Sequence, residues 1–238
     1  MAHSARPTAP TATGRAGAVA EARRVLTSRG GRWLTAITVV IGVLAAVALI
    51  GTATPGDRTF GLVVPPVQAL VSVTVPFFSV LLVTDLHDHR TGSIGPRLVA
   101  AVALAVGWAL FALLVCAVAV AVAPSTAPGR WQHAGMLVLG SFLVQAIAAL
   151  CGTGLGLLIR RPAVAMISTI VFPLGLYLLL GAVDALNPVQ GWVTPFANVN
   201  RLLSGQMTAL SWLQCLVVIA IWDVGLNVAG ALRLRRRS

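Results

Sequence analysis

Six stretches of the chain run apolar without the polar stripe that a water-facing helix shows: 33–50, 62–84, 98–123, 134–159, 163–183 and 210–231. A helix needs about 20 apolar residues to cross a hydrocarbon layer ~30 Å thick, so each stretch predicts a membrane-spanning helix. The third holds no charged residue, and the sixth holds only Asp223. Pro65, Pro66 and Pro76 fall in the second and Pro173 in the fifth. Proline is tolerated in such helices when neighbours satisfy the freed carbonyls, so Pro76 and Pro173 predict kinks. The apolar core of the first stretch exceeds the ~7–15 residues of a secretory signal, and it reads as a retained helix.

The connections carry the rest of the pattern. Residues 1–17, rich in Ala, Thr, Pro and Gly, read as a disordered tail. Residues 18–32 (AVAEARRVLTSRGGR) place Val19, Ala22, Val25 and Leu26 near one helical face, with Arg23, Arg24 and Arg29 off it. That is either a short interfacial helix on membrane lipid or a charged flank that only sets topology. Residues 51–61 and 124–133 are short loops. Residues 184–209 are long and carry Trp192, Phe196, Leu202, Leu203 and Met207. They predict one or two short helices lying at the interface or dipping into it, divided at Pro188 and Pro195. A basic tail covers 232–238.

Arginine placement orients this arrangement. Arg6, Arg15, Arg23, Arg24, Arg29, Arg32, Arg90, Arg97, Arg160, Arg161, Arg233, Arg235, Arg236 and Arg237 fall on one side; Arg58, Arg130 and Arg201 fall on the other. Cytoplasmic connections are enriched in such charge, so both termini are expected in the cytoplasm.

Composition agrees. Of 238 residues, 58% are hydrophobic and 10% charged, where a soluble domain carries about a quarter charged. Mean hydropathy is +0.91. The fold class expected is an all-α integral membrane bundle of six helices. The net charge of +11 comes entirely from arginine and sits at the ends of apolar runs, which is no nucleic-acid face. Cys116, Cys151 and Cys215 lie inside apolar runs at no metal-binding spacing and read as core residues.

Candidate chemistry is sparse. A chain without lysine has no G-x-x-x-x-G-K-[ST] phosphate loop and is expected not to hydrolyse ATP itself. H-E-x-x-H, G-x-S-x-G and C-x-x-C are absent as well, and no catalytic residue is assigned. The connection 84–97, TDLHDHRTGSIGPR, is the most polar internal segment. Asp85, His87, Asp88 and His89 are too compressed to wrap one tetrahedral ion well, so no metal is assigned. A short helix capped by Thr91 or Ser93 and offering charge to a soluble partner is the better reading; a solvated loop is the plain one. Asp223 is costly in hydrocarbon and should face the bundle interior or an aqueous cavity. Asn227 lies four residues on, on the same face, and could share its hydrogen bonds. The pair marks either a transport pathway or an interhelix contact, or else Asp223 meets Arg233. Gln68, Gln145 and Gln214 read as amides bonding across helices. Gly152 and Gly156 take the G-x-x-x-G spacing of close helix packing.

Taken in order, these segments resemble the membrane subunits of ABC-2 type exporters over residues 18–238. The pieces are EARRVLTSRGGRW before the first span, DHRTGSIGPRLVA after the second, GTGLGLLIRRPAVAM from the fourth into the fifth, and the long segment before the last helix. Asp85 and Asp88 stand where that family often has Glu. The resemblance implies a permease of the bacterial cytoplasmic membrane, paired as a homodimer or heterodimer. It would dock on a separate ATP-binding subunit that carries ATP and Mg, with no cofactor on this chain. The contact would run through a coupling helix of Asp85, His87, Asp88, His89, Arg90, Thr91, Gly92 and Ser93. Residues Glu21, Arg23 and Arg24 would lie on the elbow helix. A hydrophobic or amphipathic substrate fits the scarcity of polar lining groups. Two other readings stand beside it: a proton-coupled transporter using Asp223, and a non-transporting membrane anchor or assembly protein.

Overall fold

The computed structural model describes residues 13–87 and 93–236, and every regular element among them is helical. The order is α1 (Thr13–Thr27), α2 (Arg29–Thr52), α3 (Phe60–Val83), α4 (Ile94–Val122), α5 (Ala134–Leu158), α6 (Pro162–Gly181), α7 (Asn187–Val193), α8 (Pro195–Leu202), α9 (Ala209–Val218) and α10 (Leu226–Arg235). Short 3-10 turns cover Thr84–His87 and Asp184–Leu186, and a π-helical segment, Ile219–Gly225, joins α9 to α10. Among the described residues, six helical runs are long and apolar enough to cross a membrane: Arg29–Thr52, Phe60–His87, Ile94–Val122, Ala134–Leu158, Pro162–Gly181 and Ala209–Arg235. These match the six expected spans. Their outward positions are aliphatic, as at Leu44, Leu114, Val118, Leu179 and Leu216. This is an all-α, multi-pass membrane architecture.

Helix α3 is the most deeply buried of the six, and α2 and α6 the least. It packs most extensively against α5 and next against α4. Glycine permits the α3–α5 approach: a Cβ on Gly152 would lie 2.6 Å from the Pro76 carbonyl oxygen, and one on Gly156 3.2 Å from the Val80 Cα. On the α4 side, Trp108 sits tilted against Phe78 and edge-on to Phe111, with ring centroids 5.3 and 5.6 Å away.

Several expected boundaries shift. Helix α1 starts at Thr13, inside the stretch expected to be a disordered tail, because it is held on the bundle: Ala18 and Val25 are buried, and α1 packs against α4. The segment 18–32 is not one helix. It breaks at Ser28, whose hydroxyl caps α2 by accepting the Gly31 amide hydrogen at 3.0 Å. A Cβ at Gly31 would sit 1.8 Å from the Val25 carbonyl oxygen, so this corner requires glycine. At the other end, the last helix continues to Arg235, into the expected tail. The coupling helix expected over 85–93 is, among the described residues, a single 3-10 turn, and Ser93 precedes α4 without a side-chain cap bond. Asp88, His89, Arg90, Thr91 and Gly92 lie outside the described residues.

The long segment before the last span folds into the hairpin α7–α8, divided as expected, with Pro188 and Pro195 in the first turns. It docks inward. The Leu202 carbonyl oxygen lies 2.3 Å from where a Gly140 Cβ would be, and Leu202 and Leu203 are buried. Gln190 donates to the Tyr177 carbonyl at 2.9 Å and the Trp222 indole donates to the Val193 carbonyl at 2.8 Å, tying the hairpin to α6 and to the last span.

Candidate functional site

Two places concentrate polar chemistry. The first is at the end of the bundle where α1, the Thr84–His87 turn and the start of α4 meet. Arg24 donates to Glu21 at 2.9 Å and also pairs with Asp85. Glu21 faces Arg97 at 3.6 Å, and Arg97, which is buried, donates to the Leu82 carbonyl at 3.0 Å. His87 donates through Nε2 to the Gly156 carbonyl at 2.9 Å, which anchors the turn to α5. Helix α1 brings Glu21 and Arg24 three residues apart on one face, and that face meets Asp85 and Arg97. Arg23 is exposed and outside the cluster. Sequence reasoning placed Glu21, Arg24, Asp85 and His87 on two separate segments; the fold joins them. It missed Arg97, which had read as a topology charge. Its signal was available, because an arginine one turn inside an apolar helix needs a partner. Asp85 and His87 are each engaged with protein groups, and among the described residues no three His, Cys, Asp or Glu side chains gather into a metal-binding group.

The second place is the bundle middle. Gln145 donates to the Gln68 side-chain oxygen at 2.8 Å and to its backbone carbonyl at 3.1 Å. Gln68 in turn donates to the Ala109 carbonyl at 3.2 Å, so one chain of amides crosses α5, α3 and α4. Gln214 accepts from Arg201 instead. Asp223 lies in the π-helical segment, is 4% exposed, and its Oδ1 has no hydrogen-bond partner. Asn227 does share its face, but Nδ2 donates to the Asp223 backbone carbonyl at 2.7 Å and to Leu150 at 2.8 Å, not to the carboxylate. Thr153 donates to Asn227 Oδ1 at 2.7 Å. Arg233 does not reach Asp223; it donates to the Leu158 carbonyl at 2.7 Å.

Beside this network is a half-open cavity of about 210 Å³ bounded by α3, α5, α6 and α8. Ser72, Pro76, Ile147, Cys151, Thr169, Pro173, Phe196 and Asn200 are among its walls. Ser72, Ile147 and Pro173 fall near the middle of their helices, so the cavity lies at mid-depth in the bundle. Family models and characterised proteins give no match to this chain. Any function at these two places rests on their own residues. They offer a mostly apolar chamber and an ion-paired joint on the arginine-rich side.

Proposed function

We propose that this chain is the membrane subunit of an ATP-driven exporter of ABC-2 type, moving a hydrophobic or amphipathic substrate outward. The observation that carries this reading is the ion-paired joint of Arg24, Asp85, Glu21 and Arg97, which ties a helix preceding the first span to the turn following the second. Force applied by a soluble subunit at residues 85–93 would pass into α1 and α4 through those pairs and into α5 through His87. These 238 residues hold no lysine and so no phosphate loop, and on this reading ATP and Mg are bound by a separate ATP-binding subunit. The mid-bundle cavity is the natural place for an apolar substrate. On this reading the arginine-rich side is cytoplasmic and the membrane is the bacterial inner membrane.

The test is co-expression with any phosphate-loop ATPase found encoded in the adjacent reading frames, followed by purification and an ATPase assay. A stable complex whose hydrolysis falls when Asp85 is replaced by Arg supports the reading. Absence of any associating ATPase removes it. Asp223, buried with a free oxygen, favours a second reading as a proton-coupled transporter. In that case Asp223→Asn would abolish transport by vesicles holding this protein alone.

A further inference from the structure

Two of the cavity's walls carry prolines, and each proline sits four residues after another lining residue: Pro76 after Ser72, and Pro173 after Thr169. Proline has no amide hydrogen, so the carbonyls of Ser72 and Thr169 lose the donor that an α-helix would supply. A carbonyl at position i lies on the helix surface between residues i and i+4. Here both of those residues face the same chamber, from opposite helices. The hydroxyls of Ser72 and Thr169 do not replace the missing donors, since they donate backward to Ala69 and Met166, each at 2.7 Å. Their oxygens remain as further acceptors. Among the described residues no cationic side chain lines the cavity, and the Asn200 amide is the strong side-chain donor on its wall. The chamber is therefore apolar in surface, with the Ser72 and Thr169 carbonyls as acceptors on two of its walls.

We propose that this cavity binds an amphiphile bearing a primary ammonium group, with its N–H donors on the Ser72 and Thr169 carbonyls and its apolar body against α5 and α8. The volume suits one apolar segment rather than a whole lipid: a dry cavity of about 150 Å³ takes up a benzene-sized molecule. Identifying this ligand as the exported substrate rests on the permease reading; its binding does not.

The experiment measures saturable binding of radiolabelled dodecylamine to the purified chain in detergent, without any ATPase. Unlabelled dodecylamine is compared as competitor with dodecyltrimethylammonium, which has the charge but no N–H donor. The trimethyl compound should compete at least about tenfold more weakly, the value of one charge-assisted hydrogen bond. Pro76→Ala and Pro173→Ala each return a donor to one carbonyl and should weaken dodecylamine binding by about tenfold, while Ala148→Leu, which fills the chamber, should abolish it. Equal competition by the two cations, unchanged affinity in both proline variants, or no saturable binding would each overturn the proposal. Because no ATPase is present, a missing ATPase partner leaves this result standing, and failed binding leaves the ATPase test untouched.

Discussion

Gln145 shows what a single residue does in this bundle. Its amide bridges to Gln68, which bridges to the Ala109 carbonyl, and all of it is buried. A hydrogen bond inside a membrane bundle is worth about 0.6 kcal/mol on average and up to about 1.7. Gln145→Leu should lower stability by about 1–2 kcal/mol, since it also strands the Gln68 oxygen. Gln68→Leu combined with Gln145→Leu should lose less than the two single changes added, because no orphaned partner remains. Thermal unfolding followed with a thiol-reactive dye checks this, since the three cysteines are free and buried. Asn227 is the comparable tie for the last span. Asn227→Leu removes bonds to Leu150, Asp223 and Thr153 and should cost about 1–2 kcal/mol by the same assay. That Asp223 and Asn227 share a face was readable from their spacing; that Asn227 also serves the Leu150 carbonyl and Thr153 was not, because those two partners come from α5.

Among elements, the α3–α5 contact decides the packing, and glycine spacing sets it. Gly152 faces Pro76 backbone at distances no Cβ tolerates, whereas Gly107 on α4 has open space around it. Gly152→Ala should destabilise by about 1–3 kcal/mol through overpacking, and Gly107→Ala should be neutral or slightly stabilising through helix propensity. Unfolding midpoints of the two variants in one detergent make the comparison. The G-x-x-x-G spacing of Gly152 and Gly156 signalled a close approach, though not against which helix. The π-helical segment Ile219–Gly225 had no signal at all. Its wider turn accommodates two demands on adjacent residues: Trp222 reaches the Val193 carbonyl while Asp223 turns inward. Such turns occur often at functional sites.

For the whole molecule, the joint of Arg24, Asp85, Glu21 and Arg97 links three separate stretches of chain. Arg24 and Asp85 are about half exposed, so water screens their attraction. A double-mutant cycle with Arg24→Gln and Asp85→Asn should give a coupling of only about 0.2–1 kcal/mol in stability. If the permease reading holds, the same pair of changes should lower ATPase activity of the assembled complex far more than that small coupling would imply. Orientation is checked independently. Single cysteines placed at Ser93 and Thr126, in a background without the natural ones, should label from opposite faces of intact cells, with Thr126 the external site. External labelling at Ser93 would put the joint beyond the reach of any cytoplasmic ATPase.

The linear chain determined the number of spans and their approximate limits, because a hydrocarbon layer imposes length and apolarity residue by residue, with no need of partners. It also determined the arginine asymmetry and the division of the long hairpin at Pro188 and Pro195, which are local properties. Tertiary structure alone decided that Arg97 completes the ion-paired joint, that α1 is docked rather than trailing, and that Ser72 and Thr169 open toward one chamber. Each of those depends on which faces of distant helices meet. That is a matter of packing between side chains far apart in sequence, and apolar helices in an apolar solvent announce very little of it in advance.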